Sequence, residues 1–328
     1  MKILNNLISI YIIPLTLAFA LNGCIKEYVP TEVDSFSKDM NFVQKEFKPI
    51  LGRAFSVNTF NDDLSKRPLT FRIVNLRTFD DKPAPELTKP FPVLAWKRPY
   101  TGLEKSLEEI NNKREIVMRP LWDIGLHSGI FTMWDNSSSD FILTEPDSCY
   151  IFDVEVSNSG GTKYFQNFKL KPQKEVPALS GPGNFLNVIG DSTKTFINDA
   201  KYWLNRLGDG NSISFKFIDK DLKPIKLSKF NAMSQEDWKN LVHGFNMRFS
   251  SDSTTVTYDI AYPVPLVPTL DTRYNTGTFA SSEFKYNRLK FGGTRESSSI
   301  KIHYNIYQKG SWEVVTYFPS EAPKFDND

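Results

Sequence analysis

The chain has 328 residues, with 40 lysines and arginines against 38 aspartates and glutamates and a formal net charge of +2. Positive and negative side chains are interspersed, so the sequence lacks the basic stripe that a nucleic-acid backbone requires, and we expect no nucleic-acid partner. Two cysteines and three widely separated histidines exclude a multi-cysteine metal site, and we predict no metal ion and no cofactor.

The N-terminus contains an uncharged apolar run over residues 7–20, which ends in Leu21, Gly23 and Cys24. A transmembrane helix needs about 20 apolar residues, whereas this run is shorter and closes in small residues, as a secretory signal does. The tetrapeptide LNGC resembles the lipobox of bacterial lipoproteins, in which the cysteine is acylated and the preceding peptide is removed. The alternative is an ordinary signal peptide with a coincidental cysteine. We predict a signal peptide over 1–23 and a lipid anchor on Cys24.

Lipidation of Cys24 affects two further features of the chain. It leaves Cys149 without a partner for an intramolecular disulfide, so we interpret Cys149 as a small buried apolar residue. It also makes residues 24–44, which are mostly polar, a lipidated tether between the bilayer and the folded part. Each buried acyl CH₂ contributes about 0.8 kcal/mol, so a Cys24 with more than one acyl chain anchors the protein without a spanning helix.

A first β-rich domain is predicted over residues 45–172. Residues 69–79 and 91–97 have strand patterns, and 150–172 is typical of a hairpin whose turn, SNSGG, contains the glycines that a chain reversal needs. Between them, 102–115 is predicted to be an amphipathic helix, because apolar residues recur there at positions i, i+4 and i+7.

The proline- and glycine-rich stretch 173–184 is predicted to link this domain to a second, β-rich domain over 185–319, which a tail over 320–328 follows. The second domain contains strongly alternating segments and one amphipathic helix over 234–245, which begins with capping-box spacing. Aromatic residues make up 14% of the chain, which also favours strands. We therefore predict a mainly β protein with two antiparallel, immunoglobulin-like β-sandwich domains, each with one or two short helices.

Motifs for catalysis are missing from the sequence. No segment has the spacing of a nucleophile elbow, a phosphate-binding loop or a zinc-protease helix. Paired carboxylates for glycoside hydrolysis cannot be recognised from spacing alone, so a glycan hydrolase stays open as a weaker alternative. We predict that the protein is not an enzyme.

Three aromatic residues in polar loops are candidates for ligand contact. Trp134 ends a strand pattern and precedes the loop DNSSSD, while Tyr100 and Tyr274 each have an arginine close by, namely Arg98 and Arg273. Sugars are bound by aromatic faces together with polar groups that take the hydroxyls. The alternative for each residue is incidental packing within its loop. We predict that these five residues contact a ligand.

Four segments of the sequence are similar to those of a known family: FKPILGR (47–53), KPAPEL with TGLEKSLEEI (82–110), FDVEVSNSGG (152–161) and WKNLVHGFNM (238–247). With the lipobox and the tether, they resemble Bacteroidetes cell-envelope lipoproteins of an uncharacterised family that is often encoded beside SusC/SusD-type uptake systems. The resemblance implies anchoring to the outer membrane. It does not decide between the periplasmic and the outer face of that membrane. It further implies a non-catalytic accessory protein that binds glycan or another polymer for a SusC/SusD-like transporter. The alternative is a structural or adhesion subunit that binds another surface protein.

Overall fold

The computed structural model describes residues 33–146, 150–181, 200–289, 292–320 and 322–328, together with the backbone of 187–190. The lipobox residues Leu21, Gly23 and Cys24, the signal peptide and Cys149 lie outside the described residues. Within them the protein is mainly β, with three short helices, which confirms the mainly β class that the sequence predicts.

The N-terminal half consists of four small sheets. Its strands, in chain order, are β1 (Asn41–Phe42), β2 (Glu46–Phe47), β3 (Phe55–Val57), β4 (Phe60–Asn61), β5 (Thr70–Thr78), β6 (Phe91–Trp96), β7 (Arg114–Arg119), β8 (Trp122–Ile124), β9 (Phe131–Met133), β10 (Tyr150–Asn158) and β11 (Gly161–Leu170). Its helices are α1 (Pro85–Thr88) and α2 (Leu107–Asn111). The strand orders are β2-β11-β10-β5, β3-β9-β8, β6-β7 and β1-β4, and only the β2–β11 pair among these described pairs is parallel.

A phenylalanine-rich core fills the space between the four-stranded and the three-stranded sheet. β10 alternates so that Phe152 and Val154 are buried, and the turn between Asn158 and Gly161 returns the chain into β11, as the predicted hairpin requires. Phe131 from β9 packs against Phe152 with the ring centroids 5.9 Å apart. Because both sheets contribute to one core, this half is built from two packed β layers.

The predicted helix over 102–115 is mostly wrong. Only Leu107–Asn111 is helical, and Ser106 caps it by accepting a hydrogen bond from the backbone N–H of Glu109. Arg114 already begins β7, which pairs with β6 along its whole length. The apolar spacing fits a helix locally, but at Arg114 and Glu115 the pairing with β6, the preceding strand, overrides this weak preference.

The C-terminal half consists of two five-stranded sheets. Its strands are β12 (Ala178–Ser180), β13 (Asn187–Gly190), β14 (Lys201–Gly208), β15 (Ser212–Ile218), β16 (Gly244–Phe249), β17 (Thr255–Ile260), β18 (Asn275–Thr276), β19 (Phe279–Leu289), β20 (Arg295–Ile306) and β21 (Ser311–Tyr317). One sheet has the order β14-β21-β15-β17-β16, and the other has β12-β20-β19-β18 with β13 also paired to β20. Among the described pairs of this half, only β15 and β21 run parallel.

Aromatic side chains from both of these sheets meet in one core. Phe215 from β15 lies 5.4 Å from Phe284 of β19 and 6.0 Å from Tyr304 of β20, measured between ring centroids. The helix α3 (Gln235–Lys239) covers part of this core and begins with the predicted capping box, formed by Ser234 and Asp237. The two sheets therefore form a sandwich, and the predicted helix is shorter than its sequence pattern.

Packed structure extends beyond the predicted domain limits. Met40 and Phe42, in the predicted tether, are buried in the N-terminal core, and Phe325, in the predicted tail, is buried in the C-terminal core. The strand β12 lies in the predicted linker and pairs with β20. Each of these apolar residues stands in a mostly polar stretch, so the local pattern carries little information about its burial.

The two halves share a small apolar contact. A third buried cluster crosses between them: Tyr100, Ile110, Ala261 and Leu266. Arg114 adds a polar link, because its guanidinium donates a hydrogen bond to the carbonyl oxygen of Tyr262 at 3.0 Å. The β6–β7 pair therefore lies next to the junction between the halves.

Candidate functional site

The N-terminal half contains a cleft with a volume of about 890 Å³. We call it the tryptophan cleft, because Trp96, Trp122 and Trp134 line it. Its walls come from β5, the β6–β7 pair and the segment that includes β8. Sites for small ligands have volumes of about 300 to 1,000 Å³, so the cleft is large enough for a ligand of several sugar rings.

The strands hold the three tryptophans in different environments. Trp122 begins β8 and is buried, with its ring stacked on Phe131 at 5.5 Å between centroids. Trp134 follows β9, and its backbone N–H donates to the carbonyl oxygen of Leu121 at 3.1 Å. Trp96 ends β6 and is 36% exposed. The cleft thus combines two fixed indoles with one that solvent reaches.

Asp123 is the most distinctive polar residue of the cleft. Side chains alternate along a strand, so that Trp122 is buried in the core while its neighbour Asp123 is only partly buried. Burial raises the pKa of the Asp123 carboxyl, although the backbone N–H of Ile124 and the guanidinium of Arg119 act in the opposite direction. The Arg119 guanidinium lies 4.0 Å from the carboxylate. Further polar residues of the lining are Arg72, Asn75, Glu115 and Thr132.

Two indole N–H groups of this site are unsatisfied. The Nε1 atoms of Trp122 and Trp134 are buried and have no hydrogen-bond acceptor in the described part of the chain. A buried donor without a partner costs about 1–3 kcal/mol. Native proteins keep few such groups, and each needs a specific explanation, such as a role in function or a bound water molecule.

The arrangement suits recognition of a polar ligand with apolar faces. Indole rings offer flat surfaces on which the C–H groups of a pyranose ring can pack. The carboxylate of Asp123 accepts hydrogen bonds from hydroxyl groups, and the guanidinium groups of Arg72 and Arg119 donate them. These are the group types that a sugar-binding site requires, and they line one cleft.

The chain matches the family described as a domain of unknown function, DUF5007, over residues 60–185 and 193–327. These two segments make up well over half of the sequence. The chain belongs to this family. No curated protein matches it. The description of DUF5007 assigns no activity.

Of the five ligand-contact residues predicted from the sequence, Trp134 lies in the tryptophan cleft. Tyr100 and Tyr274 lie elsewhere and meet at the junction between the halves. The Tyr100 hydroxyl bonds to Nδ1 of His243, and the Tyr274 ring stacks in parallel on the His243 ring at 4.7 Å. The cavity that these three rings line has a volume of only about 20 Å³, enough for a single water molecule. The two tyrosines thus have a packing role in joining the halves.

The two predicted arginines lie on the surface. Arg98 is exposed and lines a shallow depression with Lys113. The Arg273 guanidinium lies 3.7 Å from the carboxylate of Glu236. The structure therefore does not bring Arg98 or Arg273 to Trp134.

Sequence reasoning missed most of the tryptophan cleft. Trp96, Trp122 and Asp123 carry no motif, and only the alternation within the short segment WDI hints that Asp123 faces away from the core. The cleft arises where β5 meets β7 and β8, which follow each other in the chain but are separated from β5 by α1, β6 and α2. Its lining could not be read from spacing along the sequence.

Two kinds of feature are missing from the part of the chain that the structure describes. Within the described ranges, no group of three or more His, Cys, Asp or Glu side chains is arranged to hold a metal ion. In the same ranges, no helix has the length and apolar character that crossing a membrane requires.

Proposed function

We propose that this protein is a non-catalytic accessory lipoprotein that binds glycan in the tryptophan cleft. The observation that carries the proposal is the convergence of three indoles with Asp123 and Arg119 on one cleft of about 890 Å³. The partly exposed Trp96 offers the stacking surface. Asp123 and Arg119 offer an acceptor and donors for the hydroxyl groups of the same sugar ring.

The proposed localisation is the cell envelope, where acylated Cys24 anchors the protein to the outer membrane. The apolar run followed by LNGC supports this localisation. The family resemblance supports a SusC/SusD-type transporter as partner, for which the lipoprotein would hold polymer close to the membrane. A Cys24→Ala variant tests the anchor, because it should move the protein from the membrane fraction to the soluble fraction. Continued tight membrane association of the variant would contradict lipidation at this residue.

Glycan binding is tested by isothermal titration calorimetry of the full chain in detergent against a panel of neutral plant and microbial polysaccharides. Trp96 and Trp203 form a matched pair, because each is 36% exposed and only Trp96 lines the cleft. Trp96→Ala should weaken binding about tenfold or more, as expected when a stacking tryptophan is removed from a binding site. Trp203→Ala should leave the affinity unchanged.

A second variant tests the polar side of the cleft. Asp123→Asn preserves the shape of the side chain but removes its charge, so it should weaken glycan binding without unfolding the protein. If the unmodified protein binds none of the panel at millimolar concentrations, the proposal fails. If the protein instead cleaves a polysaccharide and Asp123→Asn or Glu115→Gln abolishes turnover, it is a glycan hydrolase whose carboxylates the sequence does not reveal.

The alternative role, binding of another surface protein, is favoured by a separate observation. One face of the β6–β7 pair presents Leu94, Ile116 and Met118, of which Ile116 is 74% and Met118 60% exposed. Exposed apolar groups of this kind mark protein interfaces when they are contiguous. In this role, Ile116→Ser with Met118→Ser should abolish co-purification of a SusC/SusD-like partner. Sugar binding by the same variant should be intact.

A further inference from the structure

A second cleft lies between the two halves of the protein, on the other side of the β6–β7 pair. Its volume is about 390 Å³, and residues of both halves line it. We call it the inter-half cleft. Its charged lining residues are Arg53, Arg114, Asp135 and Lys309. Three cations and one carboxylate give this lining a formal charge of +2.

Two of the cations are available to a ligand. The guanidinium of Arg53 lies over the ring of Tyr307, 4.7 Å from the ring centroid. This contact fixes the plane of the guanidinium, whose N–H groups lie at the edge of that plane and can donate to a ligand. Across the ranges that the structure describes, neither Arg53 nor Lys309 makes a side-chain hydrogen bond or an ion pair. Glu175 lies beside Gly52, but its carboxylate is not paired with Arg53 or Lys309. Both of its oxygens instead accept hydrogen bonds from Ser139.

The third cation is fixed in place by neutral groups. The Arg114 guanidinium donates to the carbonyl oxygen of Tyr262 at 3.0 Å and to the amide oxygen of Asn111 at 2.6 Å. Its Nε and the Oδ1 atom of Asp135 are buried and lack hydrogen-bond partners among the described residues. A cleft that contains both an unpaired donor and an unpaired acceptor favours a ligand that supplies the complementary groups.

We propose that the inter-half cleft binds a sugar that carries an anionic group, either a carboxylate or a sulfate ester. Arg53 and Lys309 would bind the anionic group, because guanidinium and ammonium groups form charge-assisted hydrogen bonds with such oxygens. A hydroxyl group of the same ligand would donate to Asp135, which a ligand carrying only anionic oxygens could not do. The site shares no polar residue with the tryptophan cleft, but its Arg114 guanidinium lies over the Trp96 ring, 5.3 Å from the centroid. A substitution of Asp123 rather than of Trp96 therefore separates this proposal from neutral-glycan binding in the tryptophan cleft.

The test is calorimetric titration of the full chain in detergent with three probes: glucuronate, glucose 6-sulfate and glucose. At least one of the two anions should bind at millimolar concentration, with an affinity that falls as sodium chloride is added. Neutral glucose should not bind at this site. Comparison of glucuronate with glucose 6-sulfate identifies whether a carboxylate or a sulfate is preferred.

Substitutions then assign the binding to the cleft. Arg53→Gln combined with Lys309→Gln should weaken the affinity for the anion about tenfold or more, because two charged donors are lost. Lys223→Gln, at an exposed lysine outside the cleft, is the matched control and should change nothing. Asp123→Asn, in the tryptophan cleft, should also leave anion binding unchanged, which separates this proposal from the proposed function.

Three results would overturn the proposal: no binding of either anion, glucose binding that the double variant weakens as much as it weakens anion binding, or full anion affinity in the double variant. Thermal unfolding of each variant shows whether it is folded. Lys309 is exposed, so Lys309→Gln alone is a second variant that should fold even if the Arg53 substitution disturbs its loop. If neither Lys309→Gln nor Arg53→Gln changes the affinity for the anion, the anion does not bind in the inter-half cleft.

Discussion

At the scale of single residues, a buried ion pair joins Glu104 to Lys113. The Glu104 side chain is fully buried and also accepts hydrogen bonds from the backbone N–H and the hydroxyl of Thr101. Burial opposes ionisation, but the hydrogen bonds from Lys113 and Thr101 outweigh it and lower the pKa of Glu104 to about 2. A buried carboxylate of this kind stays charged only as long as its partners are present.

Removal of the cation should therefore destabilise the fold. Lys113→Met leaves the carboxylate of Glu104 buried without its ion pair, and we expect a loss of about 3 kcal/mol in the free energy of unfolding. Urea denaturation followed by circular dichroism measures this loss. Lys82→Met is the control, because Lys82 pairs with Asp80 on the surface and should contribute nothing measurable. Equal stability of the two variants would contradict the role of the buried pair.

At the scale of elements, long segments with alternating apolar residues predicted strands correctly. The weaker helical spacing over 102–115 predicted a helix that is mostly absent. The hairpin of β10 and β11 was predictable because its apolar residues alternate over a long stretch and a glycine-containing turn separates the strands. β1 to β4 have only two or three residues each, too few for a pattern to show. The predicted helix over 102–115 includes the first two residues of β7, Arg114 and Glu115, because only pairing with β6 distinguishes a strand from a helix there.

The hairpin provides an internal comparison for core packing. Phe152 is fully buried and contacts Phe47, Trp122, Phe131 and Phe168, so Phe152→Ala should destabilise the protein by about 3–5 kcal/mol. Tyr164 lies on the same hairpin but is 58% exposed, and Tyr164→Ala should have little effect. Urea denaturation of both variants tests the assignment. A small effect at Phe152 would show that this core is not tightly packed.

At the scale of the whole molecule, His243 joins the two halves. Its Nε2–H donates to the carbonyl oxygen of Glu104 at 2.8 Å, which leaves Nδ1 to accept from the Tyr100 hydroxyl. The ring is therefore neutral in this arrangement. Burial lowers the pKa of His243 below its ordinary value, although the Glu104 carbonyl acts in the opposite direction.

This lowered pKa predicts a pH dependence of stability. Below about pH 6.5, the unfolded chain protonates His243 while the folded protein resists, so stability should fall as the pH decreases through this range. His303 contributes in the same direction, because burial and Lys301 lower its pKa. The difference between the unmodified protein and His243→Phe isolates His243. Between pH 7 and pH 5, the unfolding temperature of the variant should fall by less than that of the unmodified protein. An equal fall in both proteins would refute the contribution of His243 to the pH dependence.

The same scale explains why the site was only partly predictable. Trp134 was identified because a polar loop follows it, and this signal is local. The tryptophan cleft and the inter-half cleft instead depend on where the β6–β7 pair lies against β5, β8 and the C-terminal half. Tyr100 and Tyr274 had the same local signal as Trp134, yet tertiary packing buries them partly or fully around His243.

Glycan binding in the tryptophan cleft can be observed directly at its indoles. Isotope-labelled full chain should give one indole N–H signal in nuclear magnetic resonance spectra for each of the 6 tryptophans. Titration with neutral hexasaccharides of xylose, glucose and mannose should shift the signals of Trp96, Trp122 and Trp134 with at least one of these sugars. The signals of Trp203, Trp238 and Trp312 should stay in place. Shifts confined to the second group, or no shift with any sugar, would contradict glycan binding in this cleft.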